Sequence, residues 1–151
     1  AFIERFNDPP VHNWISLAGP QFGVYGVPDF NALCPPEDCP WIASLFSLLD
    51  DPNTDILGES IQKFLSFAAY WHDPFNEQEF AKRNIFLADI NNANTVNATY
   101  KHNFASLNKA LLIYSTTDTI VVPRVSPWFS FYDYVSGSDS TILKWDETPL
   151  Y

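Results

Sequence analysis

The chain has 151 residues, the size of one ordinary domain, with 46% apolar, 17% aromatic and 17% charged residues. That composition excludes a disordered tail, a collagen-like repeat and a coiled coil. Eight Lys plus Arg against eighteen Asp plus Glu leave a formal charge of −10, which argues against a nucleic acid or an anionic lipid surface as partner. No apolar run approaches the roughly twenty residues of a membrane helix, and Ala1-Phe2-Ile3-Glu4-Arg5 lacks the layout of a signal peptide. Methionine is absent throughout, position 1 included, so the N-terminus is expected to be a processed or truncated one.

In chain order, residues 11–18 form an apolar-rich run that ends at Gly19-Pro20 and reads as a strand. Cys34 and Cys39, in Cys-Pro-Pro-Glu-Asp-Cys, are too few for a zinc site. A small disulfide loop and two unpaired thiols are both open on spacing alone. Pro40 suits the first turn of a helix carrying Trp41, Ile42, Leu45, Phe46, Leu48 and Leu49 until Asp51-Pro52 stops it. Over residues 56–67 and on to Ala68, Ile56, Leu57, Ile61, Phe64 and Leu65 recur at three- and four-residue steps, predicting a second helix with one apolar face.

Asn76 with Glu79 three residues on predicts a capping box and a short helix. Asn97 is positioned to cap another, carrying Tyr100, Phe104, Leu107 and Leu111. Asn97 also opens the single Asn-X-Ser/Thr sequon. A cap uses the side-chain oxygen and a glycan the nitrogen, so the two roles are compatible. Residues 109–115 are nearly all apolar, as for a parallel strand covered on both faces.

The stretch of roughly ninety residues between the two strands is too long for a simple crossover and reads as a helical insertion. Three segments follow: residues 1–25, a core strand and loop; 26–107, the insertion; and 108–151, a second core strand, an acidic loop and the aromatic run Trp128-Phe129-Ser130-Phe131-Tyr132.

Sites in α/β folds gather at the carboxyl ends of strands, which singles out Asp118 in the loop after the second strand. It reads either as the acid of a Ser-His-Asp triad or as an ordinary turn aspartate. A triad in the α/β-hydrolase order needs Ser on a Gly-X-Ser-X-Gly elbow upstream and His downstream. No such elbow occurs, and the last histidine is His102, so these residues do not build the triad by themselves. His12, His72 and His102 show no metal-ligand spacing. His72 with Asp73, in Tyr70-Trp71-His72-Asp73-Pro74, reads as a hydrogen-bonded structural turn.

The chain resembles the palmitoyl-protein thioesterases. The resemblance is carried by the run from Val11 to Gly26 that includes Gly19-Pro20-Gln21-Phe22-Gly23, by Tyr70-Trp71-His72-Asp73-Pro74, and by Ile85-Phe86-Leu87-Ala88-Asp89-Ile90-Asn91. Asp118-Thr119-Ile120-Val121-Val122-Pro123 and Trp128-Phe129-Ser130-Phe131-Tyr132 complete it. It implies an α/β class: part of an α/β-hydrolase fold with a largely helical insertion between two parallel core strands, the serine elbow falling before Ala1 and the histidine after Tyr151.

The resemblance also implies hydrolysis of long-chain acyl thioesters, with S-acylated proteins or acyl-cysteine thioesters as substrates, no cofactor and no metal, in a lysosomal or secreted setting. Asp118 stands where the family places its triad acid. Cys34 and Cys39 match a family disulfide, and Asn97 a glycosylation position. Trp71, Ile120, Val121 and Phe22 are candidates to line an acyl groove, the alternative for each being plain core, and Gln21 is a candidate for a place near the reacting carbonyl. Three rivals stay open: another esterase or lipase on the same fold, a non-catalytic lipid-binding homologue, and an independent small domain with a function of its own.

Overall fold

Two parallel strands frame the fold, β1 (Asn13–Leu17) and β2 (Lys109–Ile113), in register from Asn13 opposite Lys109 to Leu17 opposite Ile113. The computed structural model describes residues 1–26, 28–29, 38–40, 51 and 53–148. Both strands form where the apolar runs predict them, and they are direct neighbours although more than ninety residues separate them. The expectation that the second strand is covered on both faces is not met among the described residues, and the first strand is open as well. Ile15 and Leu17 are 63% and 72% exposed, and Leu111 and Ile113 are also exposed. An apolar run records a strand's preference for burial and says nothing of which segment supplies the cover. Trp14 does find a partner, packing edge-on against Phe104 with ring centroids 5.7 Å apart.

Among the described residues, the regular elements between the strands are short helices joined by turns and irregular chain, with one isolated bridge between Val24 and Trp71. A first short helix, α1 (Phe2–Arg5), precedes β1, and α2 (Glu59–Phe64), α3 (Glu77–Arg83), α4 (Leu87–Ile90) and α5 (Ala98–Ala105) follow it. The helix expected from Pro40 onward falls on residues 41–50, outside the described residues, and so does Cys34.

α2 corrects its sequence reading in length and in face. It ends where Leu65 turns extended, and Ala68–Tyr70 form a separate 3-10 turn. Leu57 and Ala68 are buried as expected, but Phe64 is 87% exposed and the buried helical residue is Gln62. Gln62 is inside because its amide satisfies backbone that would otherwise be stranded. Nε2 donates to the carbonyls of Leu57 and Arg83, at 2.7 and 2.9 Å, and Oε1 accepts from Ile85 N at 3.0 Å.

α3 starts after Asn76 as predicted, but Asn76 makes no side-chain cap bond, so the capping box is not formed. Glu79 pairs instead with Arg83 one turn on. α5 starts at its predicted cap: Asn97 Oδ1 accepts from Thr99 N at 3.0 Å and Tyr100 N at 3.4 Å. The helix stops at Ala105, so Leu111 belongs to β2 and not to the helical stripe. Asn97→Ala should cost about 1 kcal/mol in denaturant unfolding of the intact protein, whereas Asn97→Asp, which keeps the acceptor and removes the sequon, should cost much less.

Phe80, Leu87 and Ala88 form a buried cluster on which Tyr70, Phe86, Ile90 and Ala93 pack. Gly23 is obligatory beside it: its φ is +100°, and a Cβ there would lie 2.8 Å from His72 Cβ, from a Leu87 methyl and from the Tyr70 carbonyl. The aromatic run leads into an antiparallel hairpin, β3 (Phe131–Asp133) with β4 (Ser138–Leu143), that sequence reading does not anticipate. Its turn is held by Asp133 Oδ1, which accepts from Ser136 N at 3.0 Å, and by Gly137 at φ +69°. Among the described residues no helix is long and apolar enough to cross a membrane.

Candidate active site

Because β1 and β2 run parallel, the loops after Leu17 and Ile113 leave the same edge of the sheet, the edge at which α/β folds place their sites. After β1 the chain turns sharply through Ala18, at φ +49°. Gln21 Nε2 folds back to donate to the buried Ser16 Oγ at 2.7 Å, and Asn91 Nδ2 donates to the Gln21 carbonyl at 2.8 Å. Gly19 leaves room for that return: a Cβ there would sit 2.5 Å from Gln21 Nε2 and 2.8 Å from Ser16 Oγ.

The next residues join the two other loops of this edge. Phe22 N donates to the fully buried Ser126 Oγ at 3.1 Å. Val24 N donates to the Tyr70 carbonyl and His72 N to the Val24 carbonyl, both at 2.9 Å. Tyr25 N reaches the Val122 carbonyl at 2.8 Å, and Asp29 N the Thr119 carbonyl at 2.9 Å. Backbone hydrogen bonds of Val24, Tyr25 and Asp29 therefore hold the Trp71 segment on one side and the Asp118 loop on the other.

Asp118 Oδ1 accepts from Ile120 N at 2.9 Å and Val121 N at 3.0 Å, the pattern by which an aspartate shapes its own turn. Its other carboxylate oxygen takes no hydrogen bond from any described residue. Asp118 lines a cavity of about 450 Å³ together with Tyr114, Thr116, Val121, Val122, Pro123, Arg124, Val125, Tyr132 and Ile142. Arg124 donates from its guanidinium to the Thr116 carbonyl, and Trp128 Nε1 to the Leu112 carbonyl at 2.8 Å, so the loop is pinned back to β2. Burial, with the Asp139 charge behind it, pushes the Tyr132 phenol above its usual range, and the hydroxyl stays protonated.

The other sequence candidates occupy different depths. Trp71 is half-buried, with its ring against Tyr25 (centroids 5.2 Å apart) and Phe67 (6.2 Å). Ile120 is half-buried and Val121 is buried. Phe22 is 1% exposed, its ring among His72, Phe131 and Tyr134. His12 and His102 are exposed and His72 is buried. Among the described residues no group of three or more His, Cys, Asp or Glu could hold a metal ion. Sequence reading places Tyr132 in the aromatic run without giving it a role, and it does not single out Tyr114 or Arg124. The available signal for Arg124 was a cation directly after an apolar run in a chain poor in cations.

A parallel strand pair with an acidic loop and a cavity at its carboxyl edge is the layout in which α/β folds hold their binding sites. The chain belongs to the palmitoyl protein thioesterase family, whose model matches residues 1–151, and the family implies an α/β hydrolase. Among curated relatives, palmitoyl-protein thioesterase 3 of Dictyostelium discoideum is 43% identical over 145 residues, covering 95% of this chain and 46% of the relative. Palmitoyl-protein thioesterase 1 of Caenorhabditis elegans is 40% identical over 157 residues, covering 100% of this chain and 47% of the relative. The lysosomal thioesterase PPT2 of Rattus norvegicus is 30% identical over 153 residues, covering 100% and 46%. The chain thus spans about half the length of the curated relatives it matches.

Proposed function

We propose that the protein to which this chain belongs is a serine hydrolase that removes long-chain acyl groups from cysteine thioesters, and that these 151 residues alone are inactive. Asp118 is the acid of its triad. The observation that carries this reading is the division of labour on Asp118: one carboxylate oxygen shapes the loop through Ile120 N and Val121 N, and the other remains for an imidazole at the cavity. The carboxylate sets the tautomer of that histidine and stabilises its charged form. Serine then attacks the thioester carbonyl, the thiol departs with the proton from histidine, and water, activated by the same histidine, hydrolyses the acyl-enzyme.

Trp71, Ile120 and Val121 line the acyl groove, Phe22 supports it from beneath, and Gln21 lies toward the reacting carbonyl. Residues 26–107 form its cap. Cys34 and Cys39 are paired, and Asn97, exposed and capping α5 through Oδ1 alone, carries a glycan. The setting is lysosomal or secreted, in keeping with relatives named lysosomal thioesterases.

The test is an assay of the intact protein on a palmitoyl thioester and on the matching oxygen ester. Turnover of the thioester at a kcat/KM at least about tenfold higher, a transition-state preference of about 1.4 kcal/mol, supports the reading. Equal or inverted preference makes the protein a general esterase, and absence of both activities removes the hydrolytic reading.

A further inference from the structure

Eighteen acidic side chains face eight basic ones in this chain, so a carboxylate partner is plentiful for any arginine. Arg5 pairs with Asp89 at 2.6 Å, and Arg83 pairs with Asp55 and with Glu79. Arg124 is the exception. Among the described residues it makes no ion pair, although it lines the same cavity as Asp118.

The side chain is exposed but tethered. One arm of the guanidinium donates to the Thr116 carbonyl, in the loop that leaves β2. That bond holds the planar fork at the cavity, and the other arm has no acceptor among the described residues. Its charge reaches the Tyr132 phenol on the cavity wall, where it opposes the upward push of burial and of Asp139. The cavity thus carries two opposite charges that do not pair, and in the thioesterase reading Asp118 is committed to an imidazole. An acyl chain laid against Arg124 would strip water from a guanidinium and give no hydrogen bond back. Hydrocarbon therefore belongs with Trp71 and Ile120, and the cavity fits the other side of the thioester bond, which carries the departing cysteine.

We propose that Arg124 is a specificity residue for the cysteine side of the substrate, where its unused guanidinium arm takes a carboxylate of the acylated peptide. The inference rests on the thioesterase reading of the site and names the chemistry of the peptide, which is acidic. A carboxylate matches the guanidinium fork in geometry as well as in charge. Two sources supply that group: the α-carboxylate of an acylated cysteine that ends its chain, and the side chain of an Asp or Glu beside it. The overall charge of −10 repels either one at long range, so the preference arises on contact and not during approach. A contact made equally in the bound substrate and in the transition state lowers KM and leaves kcat as it is.

The test measures kcat and KM of the intact protein on palmitoyl-cysteine peptides, amidated at the C-terminus, with Glu, Gln or Lys beside the acylated residue. A fourth probe ends in palmitoyl-cysteine with a free carboxylate, and its comparison with the Glu peptide tells the two sources apart. The wild type should take at least one anionic probe with a KM about fivefold below that of the Gln peptide, the size of an exposed ion pair, and with a similar kcat. Arg124→Gln should abolish that difference, and Arg124→Glu should reverse it in favour of the Lys peptide. Because probes are compared within one protein, any loosening of the loop through loss of the Thr116 contact cancels. A wild type that takes neither anionic probe better than the Gln peptide overturns the proposal without any variant. An Arg124→Gln variant that keeps the preference overturns it too. Turnover of the Gln peptide leaves the thioesterase reading standing in both of those cases, whereas cleavage of none of the probes removes that reading and this inference with it.

Discussion

Asp118→Asn in the intact protein should lower kcat for thioester cleavage by about 10⁴-fold while leaving KM and unfolding stability nearly unchanged. The separation follows from how the carboxylate is used. Ile120 N and Val121 N both need an acceptor, and they hold one oxygen of Asp118 at 2.9 and 3.0 Å. An asparagine satisfies them only by placing its amide oxygen there, which leaves its NH2 group to face the imidazole. A donor in that position selects the tautomer with the proton on the far nitrogen, and that nitrogen then cannot take the proton of the serine. Asp118→Ala should lose turnover as well, and also about 1–3 kcal/mol of stability, because two amides of the loop lose their acceptor. Near-normal turnover in Asp118→Asn would remove Asp118 from the triad, and a large loss of stability in that variant would make it a structural residue.

What could be read from the residues in advance was whatever depends on local chemistry. The strand pair is marked by two continuous apolar runs, one closed by Gly19-Pro20 and the other by Thr116-Thr117-Asp118, and it forms in parallel where those runs lie. The start of α5 is legible because an asparagine oxygen reaches the amides two and three residues on, a contact that involves no distant part of the chain. Properties that depend on a distant partner were not legible. Phe64 and Gln62 exchange the expected places because the carbonyl of Arg83 and the amide of Ile85, more than twenty residues on, call for a polar side chain inside. The buried histidine was recognisable as structural, but its partners, Phe22 fifty residues earlier and Glu77 on the next helix, become visible only when the loops are assembled. The hairpin was passed over because its first strand is three residues long and its aromatic content reads equally well as core.

Asn84→Ala should cost the intact protein about 3–5 kcal/mol, a large share of the roughly 5–15 kcal/mol by which domains are ordinarily stable. Asn84 is 6% exposed and serves five backbone groups with one amide. Its Nδ2 donates to the carbonyls of Ala69, at 3.0 Å, and Trp71, at 3.3 Å. Its Oδ1 accepts from Phe86 N, Leu87 N and Ala88 N, at 3.1, 2.7 and 3.2 Å, and so supplies the opening amides of α4. Leu87 and Ala88 are almost fully buried, so water cannot readily replace the lost acceptor. Asn84→Asp keeps the acceptor and loses the donor, leaving two carbonyls facing an anion, and should fall between the wild type and Asn84→Ala. Because the Trp71 carbonyl is one of the two, the Asp variant should also loosen the Trp71 segment, raising KM for long acyl chains more than it lowers kcat. Denaturant unfolding of the three proteins, with kinetics on thioesters of short and long chains, checks both parts. A loss below about 1 kcal/mol for Asn84→Ala would mean that the five contacts are made good by rearrangement, and that the joint between Trp71 and α4 is softer than its geometry indicates.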